Sequence, residues 1–157
     1  MRLCFLRHGT AAEREEWSGD DALRPLTDKG RRRLARVAEL LAGQKLGIET
    51  VLTSPLLRCV QTAELVARRI GLDNHVVSDD RLAPGFNRAA LATLLRTHAK
   101  AGALLLVGHE PDFSDTIGHL IGGARVVCRK GGVACVNLPD PSAMEGELEW
   151  LVSPDLL

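Results

Sequence analysis

Leu3-Cys4-Phe5-Leu6-Arg7-His8-Gly9-Thr10 is the stretch whose reading decides the fold. Four apolar residues of strand type run directly into Arg-His-Gly, so a buried strand delivers an arginine, a histidine and a glycine at its carboxyl end. Ligands of α/β sheets bind beyond the carboxyl ends of the strands. A phosphoryl group carries close to two negative charges at neutral pH, and its transfer is mainly a matter of positioning and charge neutralisation. Arg7 offers a planar fork that stays charged and can pair with two oxygens at once. His8 is expected to be the nucleophile that accepts the phosphoryl group. For that it must be neutral on the attacking nitrogen, with its other nitrogen donating to a backbone carbonyl. Gly9 is expected to let the backbone approach the bound group.

The same arrangement recurs further along. Ala103-Leu104-Leu105-Leu106-Val107 is the most apolar segment and reads as a central, fully buried strand. It ends in Gly108-His109-Glu110-Pro111-Asp112, a second strand-end histidine followed by a turn into a helix of about 113–121. Between these two strands, Thr50–Thr53 reads as a short β-branched strand. Ser54 and Pro55 are read as the N-cap and first position of a helix that ends at Gly71. Arg58 lies in the first turns of that helix, where it either reaches back to the anion site or is an ordinary surface arginine.

The remaining elements follow from periodicity. Thr27 looks like the N-cap of a helix over 28–42, ended by Gly43 and Gly47. Its outer face carries Arg31, Arg32, Arg33 and Arg36, read as a solvated face. Residues 74–77 form a brief strand and 87–99 a helix. Residues 125–129 and 132–138 read as a hairpin around Lys130-Gly131-Gly132, and 146–152 as a last edge strand. Alternating strands and helices predict an α/β fold with three layers, α/β/α. Its sheet is mostly parallel, with antiparallel strands near the C-terminus. One domain is expected to span 1–157.

Composition narrows the function classes. Twenty basic and twenty acidic residues among 157 cancel, so no net field draws the chain to nucleic acid or to a membrane surface. Any anion site must be a local cluster. No apolar run approaches a membrane span, and Met1-Arg2 runs straight into the first strand without a signal-peptide pattern. The expected location is the cytoplasm, and the neutral, aromatic-poor sequence leads us to expect a monomer. Cys4, Cys59, Cys128 and Cys135 show no CxxC spacing, which argues against a zinc or redox site. Cys4 and Cys59 read as reduced core residues. Cys128 and Cys135 flank a glycine turn and could face each other across the hairpin.

Four stretches taken together resemble one family. They are Leu6-Arg7-His8-Gly9-Thr10-Ala11, Arg24-Pro25-Leu26-Thr27 with Gly30, Ser54-Pro55 with Arg58 and Gln61-Thr62-Ala63-Glu64, and Val107-Gly108-His109-Glu110-Pro111. In this order they resemble the histidine phosphatase superfamily, whose fold is that of phosphoglycerate mutase. The small size and the Arg-Pro-Leu-Thr segment look like its SixA branch of phosphohistidine phosphatases. The resemblance implies that Arg7, Arg58 and His109 surround the phosphate on His8, with His109 donating a hydrogen bond to it. It implies neither a metal nor any other cofactor.

The chain departs from many superfamily members in lacking the insertion that carries an acidic proton donor. Asp79 and Asp80 are candidates for that role or else simple turn caps. A missing donor suits a phosphoramidate, whose imidazole leaving group needs little protonation. The absence of lid-like insertions suits a phosphorylated side chain on a protein, such as a histidine phosphotransfer domain. Asp20, Asp21 and Arg24 are expected near the rim, where Arg24 either meets the phosphate or ties the loop to the helix. The leading expectation is therefore a metal-independent phosphohistidine phosphatase. The alternatives are a phosphatase for small phosphate monoesters or anhydrides and a non-catalytic phosphate-binding domain.

Overall fold

A computed structural model describes all residues, 1–157. Its single sheet contains six strands: β1 (Arg2–Arg7), β2 (Thr50–Thr53), β3 (Val76–Ser78), β4 (Ala103–Gly108), β5 (Val133–Asp140) and β6 (Glu145–Val152). They lie in the order β3-β2-β4-β1-β5-β6. The pairs β3·β2, β2·β4 and β4·β1 are parallel, and β5 runs antiparallel to both β1 and β6. Helices α1 (Asp28–Gln44), α2 (Leu57–Ile70), α3 (Arg88–Thr97) and α4 (Asp112–Leu120) complete the fold. The expected mostly parallel α/β arrangement is thus present.

Strand alternation builds the two cores. Successive residues of a strand point to opposite faces. Leu3 and Phe5 of β1, with Leu104 and Leu106 of β4, face a core closed by Leu91 and Leu94 of α3 and Phe113 of α4. Cys4 and Leu6, with Leu105 and Val107, face the other core, closed by Leu34 and Val37 of α1 and Val66 of α2. Phe113 meets Phe5 edge to face, with centroids 5.3 Å apart. Truncating such a buried ring to Ala costs about 3–5 kcal/mol, so the seat of α4 on β1 is well determined.

Several local expectations are corrected. α1 runs through Gly43 to Gln44, and Lys45 in the left-handed region ends it. Ser54 does not cap α2. The helix begins at Leu57, and Ser54 and Pro55 form the turn before it, with Leu56 N donating to Ser54 Oγ. Residues 125–129 form no strand; the hairpin partner of β5 is β6, which is the edge strand. Cys128 and Cys135 therefore do not face each other. Cys135 lies opposite Cys4 on β1, with the sulfurs 3.8 Å apart, and all four cysteines are free thiols. The arginine face of α1 is partly engaged: Arg33 pairs with Asp155, and Arg36 donates to the Leu157 carbonyl.

The register of the central strands positions the site. Arg7 lies level with Gly108, and Thr53 with Val107. The residues just beyond, His8, Ser54 and His109, therefore emerge together at the carboxyl edge. His8 N donates to Gly108 O, and Ser54 N to Val107 O, which carries the ladder one step further.

Candidate active site

The rings of His8 and His109 sit 5.3 Å apart, tilted by 60°, and both residues are buried. His8 Nδ1 lies 2.8 Å from the Gly9 carbonyl, which can only accept. Nδ1 therefore carries the proton, and Nε2 keeps its lone pair. Burial, reinforced by the positive charges of Arg58 and Arg7, lowers the His8 pKa to about 3 against the opposing pull of the Gly9 carbonyl. His8 is thus a neutral imidazole with one free lone pair. Burial, then the charge of Arg58, likewise lowers His109 to about 4.

Two guanidinium groups complete the cluster. Arg58 is only 4% exposed. Its Nη1 donates to the Asp21 carbonyl at 2.9 Å, and its Nη2 lies 3.2 Å from the Asp21 carboxylate. Arg7 Nη1 donates to the Cys128 carbonyl at 2.9 Å. The Nε atoms of both arginines are buried without any hydrogen-bond partner. Unpaired buried donors are rare because each costs about 1–3 kcal/mol. Two of them beside two neutral histidines mark a place for an acceptor with several oxygens and negative charge.

Asp21 has a larger part than rim placement suggested. It begins a short 3₁₀ turn, Asp21–Leu23, capped by Asp20. It meets Arg58 and also accepts from Arg24 Nε at 3.0 Å. Partial burial raises its pKa, but the bond to Arg24 and the charges of Arg58 and Arg24 outweigh this and hold the carboxyl below its usual range. Arg24 also donates to the Ala12 carbonyl at 2.7 Å. Its observed contacts tie the loop together, and it reaches the cluster through Asp21.

Gly9 is placed differently from expectation. Its N–H donates to Thr62 Oγ1 at 3.1 Å, so this amide is committed within the protein. A Cβ at Gly9 would lie 2.5 Å from Leu34 Cδ1. The glycine leaves room for the buried Leu34 side chain of α1, which a Cβ would force to shift. Asp79 caps the turn at Asp80–Leu82 and pairs with Arg81, whose hydrogen bond holds its carboxyl below the usual range. Asp80 is exposed.

Three polar neighbours of the cluster were not singled out as site residues by the sequence. Ser54 Oγ lies 2.9 Å from His109 Nε2. The Cys59 thiol lies 3.5 Å from the same nitrogen, and burial raises its pKa to about 12. Glu110 accepts from Ser114 N and Oγ, and Ser114 Oγ accepts from Cys128 N, which links the wall beside His109 to the carbonyl that holds Arg7.

The profile of the histidine phosphatase superfamily (branch 1) matches residues 3–83, just over half of the chain. The chain belongs to the histidine phosphatase superfamily. The match takes in β1 from Leu3 onward, with Arg7, His8 and Arg58, while His109 comes from the half beyond it. The chain is 40% identical to an uncharacterised protein of Picosynechococcus, over all of this chain and 99% of that one. It is 29% identical to the phosphohistidine phosphatase SixA of Escherichia coli, over 98% of this chain and 94% of that protein. Among solved structures, it superposes on a protein histidine phosphatase SixA complexed with tungstate with a TM-score of 0.89. That match has 28% identity and covers 99% of both chains. No helix of the chain is long and apolar enough to cross a membrane.

Proposed function

We propose that this superfamily phosphatase removes phosphate from phosphohistidine on a protein, through a phosphorylated His8 and without a metal. His8 Nε2 attacks phosphorus with its lone pair, and the bond from phosphorus to the substrate imidazole breaks, with its electron pair leaving on that nitrogen. The departing substrate ring takes a proton from solvent and leaves as neutral imidazole. Water then attacks the phosphorus on His8, and the bond from phosphorus to Nε2 breaks with its electron pair returning to Nε2. The proton lost by water goes to solvent as inorganic phosphate is released. Arg7 and Arg58 direct their unpaired Nε–H groups at the transferring oxygens. His109 donates to the same group.

The observation that carries the choice of substrate is the state of Asp21. This carboxylate meets Arg58 and Arg24 and is held ionised by them, so it has no proton to give a leaving alkoxide. An imidazole leaves without that help. The likeness to SixA over nearly the whole chain supports the same class.

The testing experiment is turnover of a chemically phosphorylated histidine protein beside a panel of alkyl phosphate monoesters, with His8→Ala as control. Preference for the phosphohistidine protein, abolished by His8→Ala and unaffected by EDTA, is the expected result. Preference for a monoester keeps phospho-His8 and discards the substrate class. Phosphate binding without turnover of any substrate discards catalysis.

A further inference from the structure

A cleft of about 420 Å³ lies between α4 and the segment 123–127 and takes no part in the chemistry above. It shares a wall with the site. Glu110, in that wall, follows His109 in the chain, and Val127 at its lip precedes Cys128, whose carbonyl holds Arg7. Glu110, Asp115 and Arg125 line the cleft, and none of the three takes part in an ion pair of this chain. Ser114 fixes the Glu110 carboxylate through two hydrogen bonds, while Asp115 and Arg125 are exposed. Val127 is 68% exposed, unusual for a large apolar side chain in this protein.

Asp115 and Arg125 present exposed charges free of ion pairs, and the Glu110 carboxylate is held by Ser114. With an exposed apolar side chain beside them, these groups complement a ligand that offers the same mixture. A sugar phosphate or nucleotide brings negative charge and hydroxyl groups but no cation for Glu110 and Asp115. A polypeptide brings all three kinds of group. We propose that this cleft receives the polypeptide segment adjoining the phosphorylated histidine of a protein substrate. A basic side chain of that segment faces Glu110 and Asp115, an acidic one faces Arg125, and an apolar one covers Val127. The inference rests on the phosphohistidine reading above and adds where the substrate protein is held. Selectivity for the protein then resides outside the pocket that performs the chemistry.

The test compares two substrates, a histidine protein phosphorylated with potassium phosphoramidate and phosphoramidate itself, on Val127→Asp, Arg125→Glu and Asp115→Lys. All three change exposed side chains that lie outside the histidine-arginine cluster. The expected result is a fall of about ten-fold in kcat/KM for the protein, carried mainly by KM, with phosphoramidate turnover unchanged. Unchanged kcat/KM for the protein in all three variants overturns the docking role, as does an equal loss on both substrates. A wild-type enzyme that hydrolyses monoesters but not the phosphorylated protein overturns the functional reading itself, and the inference with it.

Discussion

Ser54 Oγ lies 2.9 Å from His109 Nε2 and at the same time accepts the Leu56 N–H at 3.3 Å. Because Nε2 is engaged by Ser54, Nδ1 is the nitrogen left to meet a phosphate. It can donate only when the hydroxyl gives its proton to Nε2, which then accepts. This leaves the proton of His109 on Nδ1, and Nδ1 becomes the nitrogen able to donate to a phosphate oxygen. Ser54 thus positions His109 and does not itself meet the substrate.

Ser54→Ala is expected to release that tautomer. Turnover of phosphoramidate should fall by about ten-fold, chiefly in kcat. Nitrogen NMR should show His109 moving toward a mixture of Nδ1–H and Nε2–H forms. The lost acceptor for Leu56 N–H also lowers stability by about 1 kcal/mol, so the tautomer is the deciding readout. An unchanged Nδ1–H population would remove Ser54 from this role.

Asp21 is expected to act as the resident counter-charge of Arg58. Asp21→Asn leaves a buried guanidinium without it. Asp21 is 38% exposed, and solvent screening limits the loss to about 1 kcal/mol. Inorganic phosphate should restore what the variant lacks, because its charge binds the native state in place of the carboxylate. The increase in Tm on adding phosphate should therefore be larger in Asp21→Asn than in the wild type. Equal increases in the two proteins would place Arg58 away from the bound anion.

The two histidines make a distinct pH signature. His8 at about 3 and His109 at about 4 both lie below the ordinary 6.5. Their neutral forms are buried, so the unfolded chain binds more protons than the native state between those values and 6.5. Their contribution to stability is complete above about pH 6.5 and is lost as pH falls toward 3. NMR titration should find no change in the His8 ring between pH 5 and 8, ranges set by the same shift. A His8 that titrates near 6.5 would contradict its burial and the readiness of its lone pair.

What the sequence could reveal depended on whether a feature was local. β1 and β4 are continuous apolar runs that end in histidines, so the strands, their burial and the pairing of His8 with His109 were all legible. The run Val126-Val127-Cys128 has strand composition but forms none. Gly122 and Gly123, both at positive φ, turn the chain after α4, and the Cys128 backbone bonds Arg7 and Ser114 instead of a ladder. Tertiary partners override β propensity there. The pairing of Cys135 with Cys4 depends on a register between strands far apart in the chain, which no local pattern encodes. Ser54 looked like a helix cap because Ser-Pro before an apolar helix usually is one. Its hydroxyl does bond a nearby amide, but it lies two residues before the N-cap position, Leu56, and its second partner is 55 residues away.

Gly30 offers a test of how α1 supports the site loop. Thr10 O accepts from Thr27 N and Thr27 Oγ1, which seats the start of α1 against the loop that follows His8. A Cβ at Gly30 would lie 2.1 Å from that same Thr10 oxygen, a backbone atom that cannot swing aside. Helix propensity alone favours Ala over Gly by about 1 kcal/mol, so propensity and packing predict opposite signs. Gly43 in the same helix has open space around it and serves as the control. Gly43→Ala is expected to raise unfolding free energy by about 0.5–1 kcal/mol. Gly30→Ala is expected to lower it by more than about 1 kcal/mol, within the range for overpacking, and to reduce turnover by displacing the loop beside His8. Denaturant unfolding of the two variants decides the matter: a Gly30→Ala protein as stable as Gly43→Ala would mean that α1 does not hold the loop in this way.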